Sequence, residues 1–179
     1  MDQLDTPRLA LVPLDRCHAA ELFDALRHPE IYRFISRNPP SAMSELEARF
    51  ALLEARKSPD GGELWLNWAV NERSSKAFVG LVEVTVQKDK KALLAYLFSP
   101  GVWGRGYAAE ACSRVLQELF DRLGVRMIEA TSDTRNTRSR RLLERLHSHF
   151  VEERESDDII GGNNSREVLY RIEKAPNQS

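Results

Sequence analysis

Trp103-Gly104-Arg105-Gly106-Tyr107-Ala108-Ala109-Glu110 is the stretch whose residue types and spacing have the clearest chemical use. An apolar run, Ala92 to Phe98, leads into it, and the most regular amphipathic pattern of the chain follows it. A strand, a glycine turn and a helix start are therefore consecutive. A helix start offers unpaired backbone N–H groups and the positive end of the helix dipole. Glycine puts no Cβ between the backbone and a ligand. Together these predict an anion site suited to a pyrophosphate. Gly104-x-Gly106-x-x-Ala109 also fits a dinucleotide fingerprint, with Glu129 downstream. Two features oppose that reading: five residues separate Phe98 from Gly104, and the strands before them read as an antiparallel meander rather than the start of a βαβ unit.

The elements that must position this turn follow from periodicity. Arg8 to Leu14 reads as a short strand, with Pro13 favouring an edge. Asp15 is placed to cap a helix whose apolar face is Ala19, Leu22, Phe23 and Leu26, closed by Pro29. Ile31 to Pro40 reads as a loop. Ser44-x-x-Glu47 suggests a capping box for a second helix facing inward through Met43, Leu46, Phe50 and Leu53. Leu64–Val70, Phe78–Val86 and Ala92–Phe98 are strands joined by short polar turns. Trp65, Trp68 and Phe78 are expected in the core. The third helix shows Ala108, Cys112, Val115, Leu116, Leu119, Phe120 and Leu123 on one stripe and ends at Gly124. Val125–Thr131 is a strand, and strand-helix-strand makes a right-handed crossover. A fourth helix starts at Asn136 or Thr137, with Leu142, Leu143 and Leu146 inward. His149–Glu152 and Val168–Ile172 close the chain as strands around a loop with Gly161 to Asn164, and 175–179 reads as a frayed tail. The order β-α-α-β-β-β-α-β-α-β-β is α+β, a single domain over residues 1–179 with its core in 6–174.

The 179 residues carry a net charge of −1, with 42% hydrophobic and 30% charged residues, as in a globular protein. Nothing in that balance points to nucleic acid or a membrane. No apolar run approaches a bilayer span, and the acidic start Met1-Asp2-Gln3-Leu4-Asp5 is unlike a signal peptide. Cys17 and Cys112, far apart and without a CxxC, read as reduced packing residues of a cytoplasmic protein. His147-x-His149 lacks the partners of a metal site and reads as surface.

With these residues in place, the chain resembles the Gcn5-related N-acetyltransferases (GNAT), and within them the RimJ/RimL-like branch of ribosomal-protein N-terminal acetyltransferases. Thr6-x-Arg8-Leu9-x-Leu11, His28-Pro29-Glu30-Ile31-Tyr32, the run from Ala95-Tyr96 through Trp103-Gly104-Arg105-Gly106-Tyr107-Ala108-x-Glu110-Ala111, and Asn136-x-x-Ser139 carry the resemblance. It implies a GNAT-like, mainly antiparallel sheet flanked by helices, with acetyl-CoA as cosubstrate. In the family's Q/R-x-x-G-x-G/A turn, Trp103 stands first, Gly106 fourth and Ala108 sixth. Backbone N–H groups from Arg105 to Ala109 would hold the pyrophosphate. The strand end at Tyr96, Leu97, Phe98 and Ser99 would pair with the pantetheine arm, in an opening where it splays from Val125–Thr131. An N–H near Leu97 or Phe98 would meet the thioester oxygen. Asn136 would contact the arm or a water.

The transfer needs a neutral amine, a stabilised oxyanion and a proton for the leaving thiolate. The resemblance implies a Tyr seven residues after Asn136 as thiol acid, but Leu143 stands there and Ser139 is the nearest hydroxyl. Glu83, in an apolar strand where burial would tune it, is the first candidate base, and Glu129 the second. Where the family has Leu-Gly-Phe, this chain has Leu146-His147-Ser148-His149-Phe150. The arginines at 135, 138, 140, 141 and 145 read as a solvated face from which one or two reach phosphates. The acidic run Glu152 to Asp158 reads as an exposed turn able to attract a cationic amine.

The expected activity is direct acetyl transfer to a primary amine in a ternary complex, a protein N terminus first, then a small amine or amino-sugar antibiotic. A non-catalytic acyl-CoA-binding module is the rival. Acceptor choice is expected in the first two helices, the Ile31–Pro40 loop and the loop from Ser156 to Ser165, in a monomer or homodimer.

Overall fold

A computed structural model describes residues 1–160 and 162–174. The strands are β1 (Leu4–Asp5), β2 (Leu9–Pro13), β3 (Leu64–Glu72), β4 (Phe78–Val86), β5 (Lys91–Phe98), β6 (Met127–Asp133), β7 (His149–Ile160) and β8 (Asn163–Glu173). The helices are α1 (His18–Leu26), α2 (Met43–Glu54), α3 (Tyr107–Asp121) and α4 (Thr137–Arg145). The strands form one sheet in the order β1-β2-β3-β4-β5-β6-β8-β7. Among the described residues, only β5 and β6 are parallel neighbours, joined by the right-handed crossover through α3.

Alternation along the strands gives the sheet two apolar faces. Val82, Val84, Leu94 and Phe98 pack with Val115 and Leu119 of α3 and Leu143 of α4. Ala69, Leu81 and Leu97 face the other way, against Leu22 of α1 and Phe50 of α2. The glycine turn thus belongs to one face and the first two helices to the other.

Several local expectations are corrected. Helix α1 begins after Cys17, and Asp15 accepts the Cys17 N–H (2.8 Å) in a turn just ahead of it rather than capping the helix. Cys17 is exposed, whereas Cys112 is buried as expected. The capping box shifts: Ala42 is the N-cap of α2, so Glu45 stands at N3 and accepts from the Ser41 N–H and hydroxyl at 2.9 and 3.0 Å. Met43, in the first turn, is then turned outward. The Ile31–Pro40 loop is entered by a 3-10 turn, Pro29–Tyr32, capped by the His28 side chain. Trp68 is core, but Trp65 and Phe78 are only half-buried. Gly124 ends α3 in the left-handed region, and the Val125 N–H returns to the Leu119 carbonyl (3.0 Å), so β6 starts two residues later than expected.

The largest correction is the closing hairpin. Segments 156–160 and 163–165, expected as loop, lie in β7 and β8. Cross-strand pairs such as Arg154–Glu167 and Arg166–Glu153 offset the charge that made this run read as a turn. Gly161 and the 175–179 tail fall outside the described residues.

Candidate active site

The parallel pairing of β5 with β6 is short: Lys91↔Met127, Ala92↔Ile128 and Leu93↔Glu129. Beyond it, β5 stays on β4 as far as Phe98 and β6 stays on β8 as far as Asp133. The two strands therefore part, leaving a cleft of about 860 Å³. Register assigns its backbone groups. Gln87 and Ser99 N–H groups bond to Lys91 and Val79 carbonyls, each 2.8 Å, so the odd-numbered residues of β5 bond to β4. Tyr96 and Phe98 consequently direct N–H and C=O into the cleft, while Leu97 and Ser99 turn theirs to β4. The Phe98 carbonyl accepts the Trp103 indole N–H (2.8 Å), so of its two backbone groups the N–H is the one left to a bound molecule.

The glycine turn closes one end. Gly104 and Gly106 have φ of +77° and +80°, a left-handed geometry that suits glycine. Gly106 is the N-cap of α3 with no side-chain cap, so the N–H groups from Gly106 to Ala109 stay open to a ligand. The Arg105 N–H instead serves the Val102 carbonyl (3.3 Å), and its guanidinium turns to Glu72 (3.0 Å) and the Tyr107 hydroxyl (2.7 Å). A brace from β1–β2 holds the turn. The Arg8 guanidinium donates to the Arg105 carbonyl (2.9 Å) and to Glu110 (2.6 Å), and the Thr6 hydroxyl donates to Glu110 (2.6 Å). Burial alone would raise the Glu110 carboxyl, but the bonds from Thr6 and Arg8 outweigh it and hold the group below the ordinary carboxylate range. Thr6, Arg8 and Glu110, read in sequence only as motif letters, are thus one contact.

Helix α4 forms the facing wall. Asn136 Oδ1 caps it by accepting the Ser139 N–H (3.1 Å), so that oxygen is already committed. The Arg138 guanidinium stacks over Trp103 (4.2 Å), and Arg141 and Arg145 line the same cleft. Arg135 is committed to Asp133 (2.7 Å). These cations and the open N–H groups fit a cosubstrate with several phosphates.

Two sets of polar groups line the cleft on opposite sides of the sheet. The Ser139 hydroxyl lies 2.8 Å from the Tyr96 hydroxyl, on the α3–α4 side. Desolvation by burial pushes the Tyr96 phenol well above its ordinary value, so it keeps its proton and acts as a hydrogen-bond donor. This side-chain role was missed because Tyr96 counted only as strand backbone; its place in an apolar strand ending at the glycine turn was the available signal. Glu83 lies on the α1–α2 side, in register with Ala95, and lines the cleft. It is ion-paired with Arg49 of α2, a partner from a helix whose placement the sequence did not show. Glu129 is paired with Arg171 (2.7 Å).

Of the expected residues, Tyr96, Leu97, Phe98, Trp103, Gly104, Gly106, Tyr107, Ala108, Ala109, Asn136, Ser139 and Glu83 line the cleft, and Ser99 and Arg105 do not. This arrangement can draw a phosphate-tailed arm through the sheet and deliver its end to a second substrate on the far face. Residues 8–149 match the family model described as the acetyltransferase (GNAT) domain, and the chain belongs to that family. It is an acetyl-CoA-dependent N-acetyltransferase. It is 26% identical over 142 residues to a Bacillus subtilis protein described as the uncharacterized N-acetyltransferase YoaA, with 78% of each chain covered. Its fold matches the ribosomal-protein-S5-alanine acetyltransferase from Vibrio fischeri (TM-score 0.82, 15% identity, 96% of both chains). It also matches the spermidine N-acetyltransferase from Vibrio cholerae, solved with CoA and spermine (TM-score 0.80, 19% identity, 94% of this chain and 97% of that one). Among the described residues, no helix is long and apolar enough to cross a membrane.

Proposed function

We propose that this chain is a RimJ/RimL-like enzyme that acetylates a protein N-terminal amine by direct transfer, working as one domain in the cytoplasm. The parting of β5 and β6 carries the reading, because it joins the phosphate-binding face to the face where Glu83 stands. The N–H groups of Gly106 to Ala109, with Arg138, Arg141 and Arg145, hold the phosphates of acetyl-CoA. The backbone of Tyr96 and Phe98 pairs with its arm.

Glu83 takes a proton from the acceptor amine, directly or through water. The amine nitrogen forms a bond to the thioester carbon, and the Phe98 N–H stabilises the charge that gathers on its oxygen. As the carbon–sulfur bond breaks, the Tyr96–Ser139 pair donates a hydrogen bond to the departing thiolate. An alkyl thiol titrates at about 8.5, below the phenol, so the pair stabilises the departing thiolate without giving up its proton; the proton the nitrogen loses as the amide forms passes through Glu83 to solvent, and the thiolate takes one from solvent. The products are an N-acetyl group and the free thiol.

A protein acceptor is supported by the Vibrio fischeri relative, which is named for a ribosomal protein. The Vibrio cholerae relative is named for spermidine, and a small amine is the competing acceptor. Thiol release from acetyl-CoA with short free-N-terminal peptides and with spermidine decides between them. The peptides are expected to react with the higher kcat/KM; a preference for spermidine rejects the protein-acceptor reading.

A further inference from the structure

A second cavity, of about 520 Å³, lies on the α1–α2 side of the sheet, walled by Trp65, Asn67, Glu83, Thr85, Ala95 and Thr131. Glu83, Ala95 and Thr131 also line the cofactor cleft, so the two spaces meet at the parting of β5 and β6. Ala95 and Thr131 are the small side chains at that junction, where Leu94 and Glu167 also line both spaces. Register puts Asn67 of β3 directly beside Glu83 of β4.

Two features of this wall bear on what it receives. Its carboxylates already have cationic partners: Glu83 has Arg49, Glu129 has Arg171 (2.7 Å) and Glu167 has Arg154 (2.7 Å). A polycation would find no surplus negative charge there, and its additional charges would be desolvated without partners. Asn67 is the opposite case. It is 4% exposed, and among the described residues its Nδ2 has no hydrogen-bond partner. A buried amide N–H left in this state is costly, and a native site that keeps one calls for an explanation.

We propose that this cavity seats the first peptide group of the acceptor, paired to the Asn67 carboxamide while the acceptor's amine stands at Glu83. The inference rests on the N-terminal reading above and adds to it the residue that selects the acceptor. The free Asn67 Nδ2–H is a donor, and the carbonyl of a peptide group is the acceptor it lacks. A protonated polyamine offers donors only. An alkylamine reaches Glu83 but leaves the carboxamide unpaired.

Wild type and Asn67→Leu are assayed by thiol release with trialanine amide, propylamine and spermidine, and acetyl-CoA affinity is measured for both proteins by calorimetry. Wild type is expected to favour the peptide over either amine by at least tenfold in kcat/KM. Asn67→Leu is expected to lower the value for the peptide about tenfold, mainly through KM, the size of one hydrogen bond. Propylamine turnover and acetyl-CoA affinity stay the same. If Asn67→Leu does not fold, as judged by acetyl-CoA binding, Asn67→Ser carries the same comparison. An unchanged peptide-to-propylamine ratio in the variant overturns the role of Asn67 and leaves the N-terminal reading standing. A wild-type preference for spermidine overturns both.

Discussion

In the proposed mechanism the Tyr96 hydroxyl stands in for the hydroxyl that Leu143 lacks. Its contact with Ser139 places two hydroxyls at the thiol side of the cleft, where negative charge collects on sulfur. A hydrogen bond to a charged group is worth about 1.5–3 kcal/mol. Tyr96→Phe is therefore expected to lower kcat roughly ten- to a hundredfold with acetyl-CoA affinity unchanged. Equal kcat would remove the pair from the chemistry. Glu83 acts from the other face in the proposed mechanism. Glu83→Gln keeps the shape beside Arg49 and removes the proton acceptor, so turnover should fall while calorimetry gives the same affinity for acetyl-CoA. Full turnover in that variant would transfer the role to solvent.

At the scale of elements, the end of α4 shows how a departure from a family pattern is accommodated. His147 occupies the left-handed position after the helix, φ +58°, where the family's Leu-Gly-Phe has glycine. The Ser148 N–H reaches back to the Leu143 carbonyl (3.3 Å) and the His147 N–H to the Glu144 carbonyl (3.1 Å), the pattern of a Schellman end. A non-glycine residue in this conformation costs about 1–2 kcal/mol, and glycine gives back about 0.4–1 kcal/mol through the unfolded chain. His147→Gly should thus stabilise the protein by roughly 0.5–1 kcal/mol, measured by urea unfolding; a loss of stability would mean the His side chain has a holding contact of its own. The turn itself could not be read, because hydropathy shows no backbone angle. The glycine turn at Gly104 to Gly106 was legible because glycine, strand and amphipathic helix all pointed to it. The brace at Glu110 was not: its partners Thr6 and Arg8 lie 104 and 102 residues away, and no periodicity encodes such a contact.

For the molecule as a whole, this brace ties the first strands to the crossover helix and makes the cofactor site part of the sheet's stability. The native Glu110 carboxyl titrates below the reference value of 4.5, so its contribution is complete above that pH and is lost as the pH falls through the native value. Asp133, held low chiefly by its hydrogen bond from Arg135, behaves alike. Unfolding free energy should fall as the medium is acidified below about pH 4.5, and Glu110→Gln should flatten that fall. An identical acid profile in the variant would show that the brace carries no linkage. The closing ribbon was the element least legible in sequence, because the pairs that offset its acidic residues are contributed across strands.

Gly106→Asp tests most directly where the phosphates of acetyl-CoA sit. A Cβ at Gly106 meets only the Arg8 guanidinium, at 3.4 Å, and Asp tolerates the left-handed region better than most residues, so the fold should persist. The new carboxylate would face the pyrophosphate at the start of α3. Calorimetric titration of wild type and variant with acetyl-CoA, with NADH as control, is the measurement. Binding of acetyl-CoA by wild type alone, with NADH binding neither protein, is the predicted result. A variant that binds acetyl-CoA as wild type does would contradict the placement of the phosphates at the glycine turn.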